Sequence, residues 1–503
     1  MAKPPLGQTK EIPVKYEPKG STPFLRAITT DVPVVNAVSR PTRGRGLIAL
    51  LLFIATMGTA HADVFYPTNF TLANGLQVVV VPNHLAPVVS QMVWYKVGAA
   101  DEVKGKNGLA HYLEHLMFRG TEDIPPDEFS KVIAAQGGQD NAFTSYDYTA
   151  FFEEVAADRL PMIMQMEADR MHNLRILPET AGPELRVVLD ERQQRTDNSP
   201  EGRFIEKLDH KFLPHYAYGR PVIGWKREIE KLTAADARQF YEAHYAPNNA
   251  VVVVSGDVKV EDVMRLAAAT YGRVPSRDVA PRHEFKPAPL PQQHDFTQTD
   301  AGVEQPQILW RFAVPSYATQ KDNEAYAYEV LAEVLDGGEV GILYKKLVNE
   351  LGIASAVESG YDPDARGETS FSLAASPRSG QSYQKLEKAL RAVLSDNAKT
   401  GLDADLIEGA KLRLKRSAIF AREGLTMPGY AFGMALTTGH SVADVEAWPD
   451  RIDAVTVDQV NIALRALASS KRQIMGALLP DPHASAAARE AAQPILSHGV
   501  GIR

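Results

Sequence analysis

The sequence predicts an α+β fold of two tandem homologous domains, and three observations carry that reading. The chain has 503 residues, more than one core usually organises, and its composition, 45 % hydrophobic and 23 % charged, is that of a folded protein. A pattern also recurs. QMVWY at 91–95 resembles QILWR at 307–311, 216 residues later (91 to 307), and Asn107 and Asn323 keep that offset, each followed by a helical stretch. IEKLT at 229–233 resembles IDAVT at 452–456, 223 residues later (229 to 452), and each precedes a helix and an apolar strand, 251–254 and 474–479. Matches that agree in order and offset indicate duplication. Finally, strands and helices do not alternate strictly, which favours α+β over a doubly wound sheet.

The elements follow in order. Residues 1–39 form a polar, proline-containing prefix. Arg40, Arg43 and Arg45 then precede an apolar run at 47–57, and Ala60-His61-Ala62 follows. A basic flank, a short apolar core and a small-x-small site read as a secretory signal cleaved near Ala62, and the run is shorter than a bilayer span requires. Residues 1–62 are therefore assigned as leader, the destination as periplasmic or otherwise exported, and the mature chain as lacking a stable membrane span. In the first domain, 63–275, β-prone apolar patterning predicts strands at 76–81, 88–97, 148–155 and 250–255. Helical patterning predicts helices at 108–118, 127–135, 157–173, 182–195 and 234–243. Residues 276–295 read as a linker, because Pro281, Pro287, Pro289 and Pro291 resist both helix and inner strand. The second domain is 296–503. Tyr66, Trp94, Trp310 and Phe312 fall on strand patterns and are expected in the core. KLRLKR at 411–416 reads as the solvated face of a helix, and His210 and His215 as surface or structural.

Composition narrows the chemistry. Lys+Arg is 54 against Asp+Glu 62, a net charge of −8, which argues against a nucleic-acid binder with a globally basic surface. The chain has no cysteine, which excludes disulfides, thiolate nucleophiles, cysteine zinc sites and iron–sulfur clusters. Any metal must be held by His, Asp or Glu.

Such a set is present. His111-Tyr112-Leu113-Glu114-His115 lies in a predicted helix, and residues four apart share a helix face, so His111 and His115 project together. Two imidazoles so spaced suit one zinc ion, and Glu114 beside them suits a proton acceptor for a metal-activated water. A catalytic zinc needs a third protein ligand. Glu184 and Glu191, seven apart on one face of a second helix, are both candidates, one for the metal and one for orienting a ligand; spacing alone does not choose between them.

The sequence here resembles a family. His-x-x-Glu-His is the inverted zinc motif, and GLAHYLEHLMFRGT is similar to the active-site helix of the pitrilysin/insulinase (M16) metallopeptidases. The resemblance continues through GGQDNAFTS at 137–145, ELRVVLDE at 184–191 and NNAVVVVSGDV at 248–258. It implies two tandem α/β-roll domains, the second degenerate, and a Zn2+-dependent endopeptidase cutting peptides or unfolded segments in a chamber between domains. It also implies roles: His111, His115 and Glu191 as zinc ligands, Glu114 as general base, Glu184 as a supporting acid, and Asn141, Ala142 and Phe143 on a substrate-pairing edge strand. At the 216 offset His111 falls on Ala327, Glu114 on Val330 and His115 on Leu331, so the second domain has lost the metal set. The family's substrate-binding Arg and Tyr fall on Val348 and Ser355. A related subunit carrying that Arg/Tyr pair is therefore expected to complete the site as a heterodimer; the other arrangements are a homodimer, or the chain working by itself with weaker transition-state stabilisation. The rival function is a non-catalytic or scaffold subunit of a larger complex.

Overall fold

The computed structural model describes residues 64–286 and 295–484. The leader, its cleavage near Ala62, and Pro287, Pro289 and Pro291 lie outside the described residues.

Among the described residues, eleven strands form two sheets. The first contains β1 (Thr68–Thr71), β2 (Gln77–Pro82), β3 (Val88–Tyr95), β4 (Gln139–Thr144), β5 (Thr149–Ala156) and β6 (Ala250–Gly256), in the order β1-β2-β6-β3-β5-β4. The second contains β7 (Phe296–Asp300), β8 (Gln307–Val314), β9 (Ala354–Tyr361), β10 (Thr369–Pro377) and β11 (Gln473–Pro480), in the order β7-β11-β8-β10-β9. Without β1, the first sheet has the same order as the second. Each has one parallel pair at the same place, β2 with β6 and β7 with β11, and is otherwise antiparallel. This is the duplication that the short sequence matches indicate.

The helices of the first half are α1 (Leu109–Leu116), α2 (Glu128–Ala135), α3 (Leu160–Asn173), α4 (Pro178–Arg192), α5 (Pro200–Phe212), α6 (Lys226–Ile229), α7 (Ala234–His244) and α8 (Val260–Ala269). One face of the first sheet, through Val78, Val80, Val93 and Val252, packs with Leu113, Met164, Val188 and Tyr241 from these helices. In the second half α9 (Glu324–Leu335), α10 (Tyr383–Thr400), α11 (Ala404–Ala421) and the helix Val457–Ser469 cover one face of the second sheet.

The opposite faces are covered reciprocally. The first sheet presents Met92, Trp94, Val251 and Val253 to α12 (Met427–Thr438), which belongs to the second half. Gly433 is required there, since a Cβ would stand 2.0 Å from the Trp94 ring. Conversely α5, from the first half, sets Leu208 and Phe212 against Ile474 of β11. Burying aromatic and aliphatic side chains stabilises by roughly 1.5–3 kcal/mol each, so this exchange fixes the two lobes to one another.

Two expectations are corrected. Trp94, Trp310 and Phe312 are buried, but Tyr66 is 59 % exposed because it precedes β1, with its ring under the Arg422 guanidinium. In KLRLKR, Lys411 and Leu414 turn inward on α11, and Lys411 Nζ donates to the carbonyl of Val455 at 3.1 Å. The described part of the linker is also packed: Arg282 bonds Asp101 and the Thr437 carbonyl, joining both halves.

Candidate metal centre

Helix α1 has one apolar and one polar face. Leu109, Ala110, Tyr112, Leu113 and Leu116 are buried, which leaves His111, Glu114 and His115 on the other side. Its N-terminus starts from Gly108 at φ 91°, in the left-handed region, and a Cβ there would stand 2.5 Å from the Ile223 carbonyl oxygen. Gly108 provides no side-chain cap. Glu102, 6 % exposed, takes that role from outside the helix: it accepts from Ala110 N–H (2.9 Å), Gly108 N–H (3.1 Å) and the Asn107 side-chain amide (3.0 Å). Tyr112 donates its hydroxyl to the Ala181 carbonyl at 2.6 Å and so ties α1 to α4.

The two-turn spacing on α4 sends Glu184 and Glu191 to the same side, facing α1. The Nε2 atoms of both histidines converge on one oxygen, Glu191 Oε2, at 3.2 Å from His115 and 3.6 Å from His111. One ligand atom from each of His111, His115 and Glu191 lies within 4.8 Å of the others, and among the described residues no other group of three such side chains is this compact. The geometry separates the two glutamates that spacing left open. Glu184 meets the other ring nitrogen, His115 Nδ1, at 2.8 Å, and its second oxygen lies 2.5 Å from Arg119 Nε. It thereby accepts from Nδ1 and orients the ring with Nε2 towards Glu191, the position of a carboxylate behind a metal-binding imidazole. His111 Nδ1 is buried and has no hydrogen-bond partner.

The electrostatics match this arrangement. Burial and the neighbouring His115 lower His111 to about 4. Burial also disfavours the proton on His115, but the Glu184 and Glu191 carboxylates outweigh it and raise the group to about 9. Burial pushes against ionisation of Glu191, yet the His115 hydrogen bond and the charges of His111 and Arg195 bring it down to about 2. Glu184 is likewise lowered, its contacts with His115 and Arg119 overcoming burial. Glu114 goes the other way: burial pushes it up to about 7, against the pull of the Thr144 hydroxyl that donates to its Oε2 at 2.6 Å. A carboxyl poised there exchanges protons near neutral pH.

Thr144 ends β4, and β4 ends its sheet. It pairs with β5 on one side, and its other edge carries no strand among the described residues. Asn141 and Ala142 lie on that open edge, which can accept an extended peptide. The Phe143 side chain points away from the metal group, stacked on Tyr430 with ring centroids 5.5 Å apart and edge-on to Trp94; its backbone is what remains available. Sequence reasoning passed over Glu102, Thr144, Arg119 and Arg195. Glu102 and Thr144 lie outside the helices bearing the motif, so helical spacing gave no signal for them. Arg195 sits four residues after Glu191 and bonds its Oε1 at 2.6 Å, a spacing that was legible.

Among its described residues the second half holds nothing comparable. Ala327, Val330 and Leu331 on α9 are buried in its core. Val348 is 8 % exposed, and the Ser355 hydroxyl is committed to the carbonyls of Ser376 and Pro377.

Comparison with known proteins accords with this division. Residues 77–225 match the family described as Insulinase (Peptidase family M16), and residues 231–414 match the one described as Peptidase M16 inactive domain. This chain belongs to the M16 peptidase family. Among curated M16 relatives, zinc protease PqqE of Helicobacter pylori is 31 % identical over 387 residues, covering 75 % of this chain and 84 % of the relative. An uncharacterized zinc protease of Streptomyces coelicolor is 28 % identical, covering 78 % and 86 %. Among solved structures, a protease from Helicobacter pylori superposes with a TM-score of 0.76 at 26 % identity, over 82 % of this chain and 99 % of that one. The fold is shared with the periplasmic protease PqqL of Escherichia coli, TM-score 0.71 at 19 % identity, over 85 % of this chain and 49 % of that one.

Proposed function

We propose that the chain is a zinc-dependent endopeptidase acting on peptides or unfolded segments, with residues 63–275 carrying the site and 296–503 forming the opposing wall of a chamber. The observation that carries this reading is the convergence of His111, His115 and Glu191, one ligand atom of each within 4.8 Å of the others, beside Glu114 and an open strand edge. Two imidazoles and a carboxylate are a zinc donor set that leaves room for water and substrate. Zinc held there supplies Lewis acidity to a water and to the scissile carbonyl. The residues do the rest. Glu114, held by Thr144, takes a proton from the attacking water and returns it to the leaving amine. Glu184 keeps His115 in register, and β4 aligns the peptide backbone. In Glu114→Gln, zinc stays bound and cleavage is lost; a variant that still cuts would refute the base assignment.

A partner subunit completes the site. Val348 and Ser355 offer no free donor to the substrate, and loss of one transition-state hydrogen-bond donor costs typically about 3–4 kcal/mol. The zinc-loaded chain alone should turn over peptides slowly, and a related subunit bearing an Arg/Tyr pair should raise the rate; full activity without one would remove this part of the proposal. No helix among the described residues is long and apolar enough to cross a membrane. The proposal of an exported protein rests on the leader read at 1–62.

A further inference from the structure

The turn that follows the open strand β4 leads into a cavity of about 240 Å³ between the two lobes. One wall is this turn, with Asp147 and Tyr148. The facing wall belongs to the second sheet: Asp362 and Asp364, in the connection from β9 to β10, and Ser370 and Ser372 on β10.

The acidic groups here are not equally answered. Asp209 pairs with Arg311 at 3.0 Å. Asp101 pairs with Arg282 at 2.9 Å and Arg366 at 3.3 Å. Asp147 is 3 % exposed; its Oδ2 accepts from the Tyr218 hydroxyl and the Arg366 N–H, while its Oδ1 accepts no hydrogen bond, the closest cation being Arg366 Nη1 at 3.8 Å. Among the described residues no cationic side chain pairs with Asp362 or Asp364. Asp362 accepts the N–H of Asp364 at 3.2 Å. Burial raises both carboxyls, that of Asp364 to about 8, and the charges next to them are like charges: Asp147 for Asp362, and Asp362 and Glu329 for Asp364. Glu329 is itself held by the Tyr317 hydroxyl and the Trp448 indole N–H.

Buried carboxylates without a counter-charge are costly, and a cation entering the cavity relieves that cost. The Asp147 Oδ1 without a donor adds an acceptor for a hydrogen-bonding cation. Arg311 also lines the cavity but is held by Asp209 and donates to the Ser370 hydroxyl at 3.3 Å, and the Ser372 hydroxyl donates to the Gly360 carbonyl at 3.3 Å, so the cation site falls to Asp147, Asp362 and Asp364. These carboxylates do not form a group of three compact enough to cage a metal ion. What suits them is an ammonium or guanidinium brought on a long stem. We propose that this cavity is the subsite for a lysine or arginine side chain of a peptide lying along β4. The inference rests on the peptidase reading and names a substrate class for it. Thr144, the last residue of β4, touches Glu114, and at about 3.3 Å per extended residue the 145–148 turn lies within about three residues of the reacting bond.

The test uses a positional-scanning peptide library on the zinc-loaded chain and on Asp362→Asn/Asp364→Asn. In the wild type, one position near the scissile bond should favour lysine or arginine over norleucine about tenfold or more in kcat/KM, the range a charged hydrogen bond provides. In the double variant that ratio should fall towards one, with norleucine peptides cut as before. No basic preference in the wild type, or one that survives the substitutions, overturns the proposal. The melting temperature of the double variant at pH 8 should equal or exceed that of the wild type, since like charges are removed; a marked fall would mean that an internal cation already answers them, which also overturns it. If no peptide is cut at all, the peptidase reading fails, and the subsite is read separately. Fluorescence anisotropy of labelled lysine and norleucine peptides on Glu114→Gln should then show tighter binding of lysine; equal affinities refute the subsite.

Discussion

Glu102→Ala is the sharpest structural prediction, because Glu102 touches neither ligand nor substrate, yet helix α1 starts from it. The substitution strips the acceptor from Gly108 N–H, Ala110 N–H and the Asn107 amide in a buried position. A buried donor left unsatisfied costs about 1–3 kcal/mol, and water refilling the space offsets part of the sum, so a loss of about 3 kcal/mol is expected. His111 follows Ala110 directly, so fraying there moves a proposed zinc ligand, and zinc affinity should fall about tenfold or more. The assays are urea unfolding followed by circular dichroism and zinc competition against a chelator. Glu102→Gln separates hydrogen bonding from charge. Burial raises the Glu102 carboxyl from 4.5 to about 7, against the hydrogen bonds of Ala110 and Asn107. A carboxyl with a folded pKa above its unfolded value binds its proton more tightly when folded. Its contribution is therefore fully present below about 4.5 and is lost as pH rises through about 7. The stability difference between wild type and Glu102→Gln should shift against the wild type across that window, by up to roughly 3 kcal/mol. An alanine variant within 0.5 kcal/mol of wild type, with unchanged zinc affinity, would refute the capping argument.

Other outcomes follow from the same geometry. Glu114→Gln should lower kcat/KM about 10²–10⁴-fold with zinc content intact, read by peptide assay and metal analysis. Thr144→Val removes the hydroxyl that lowers the Glu114 carboxyl, so the acid limb of the pH–rate profile should move to higher pH; an unmoved limb would separate Thr144 from the base. Zinc requires a neutral imidazole, and His115 is raised to about 9, so binding at pH 7 should release about one proton, seen by calorimetry in buffers of different ionisation enthalpy. Binding without proton release would contradict the charge state assigned to His115. Glu184→Gln should loosen zinc about 10–100-fold while leaving the fold intact, as loss of a carboxylate behind a ligating imidazole does.

Much of this was legible in the sequence wherever local periodicity matched packing. The faces of α1 and α4, the strands β2, β3, β5 and β6, and the emptied metal positions on α9 all declare themselves through spacing. What escaped depends on distant contacts. Strand β4 starts with Gln139, Asp140 and Asn141, whose polarity breaks the alternation expected of a strand, so only the family resemblance indicates it, and pairing with β5 imposes it. Helix α5 is absent from the sequence reading although Phe204, Leu208 and Phe212 recur four residues apart, and its partner, the second sheet, lies far along the chain. Lys411 sits in a basic run and turns inward because the Val455 carbonyl, 44 residues away, receives it. Spacing also left Glu184 and Glu191 equivalent, and the Arg119 contact and the two ring nitrogens of His115 tell them apart.

The central claim is that two imidazoles and one carboxylate hold a single zinc ion. A crystal structure of the purified chain with anomalous data collected across the zinc edge tests it most directly. This account expects one strong peak bounded by His111 Nε2, His115 Nε2 and an oxygen of Glu191, with Glu184 on the far side of the His115 ring. A zinc-soaked crystal with no peak there, or with Glu191 turned away from both rings, would contradict it.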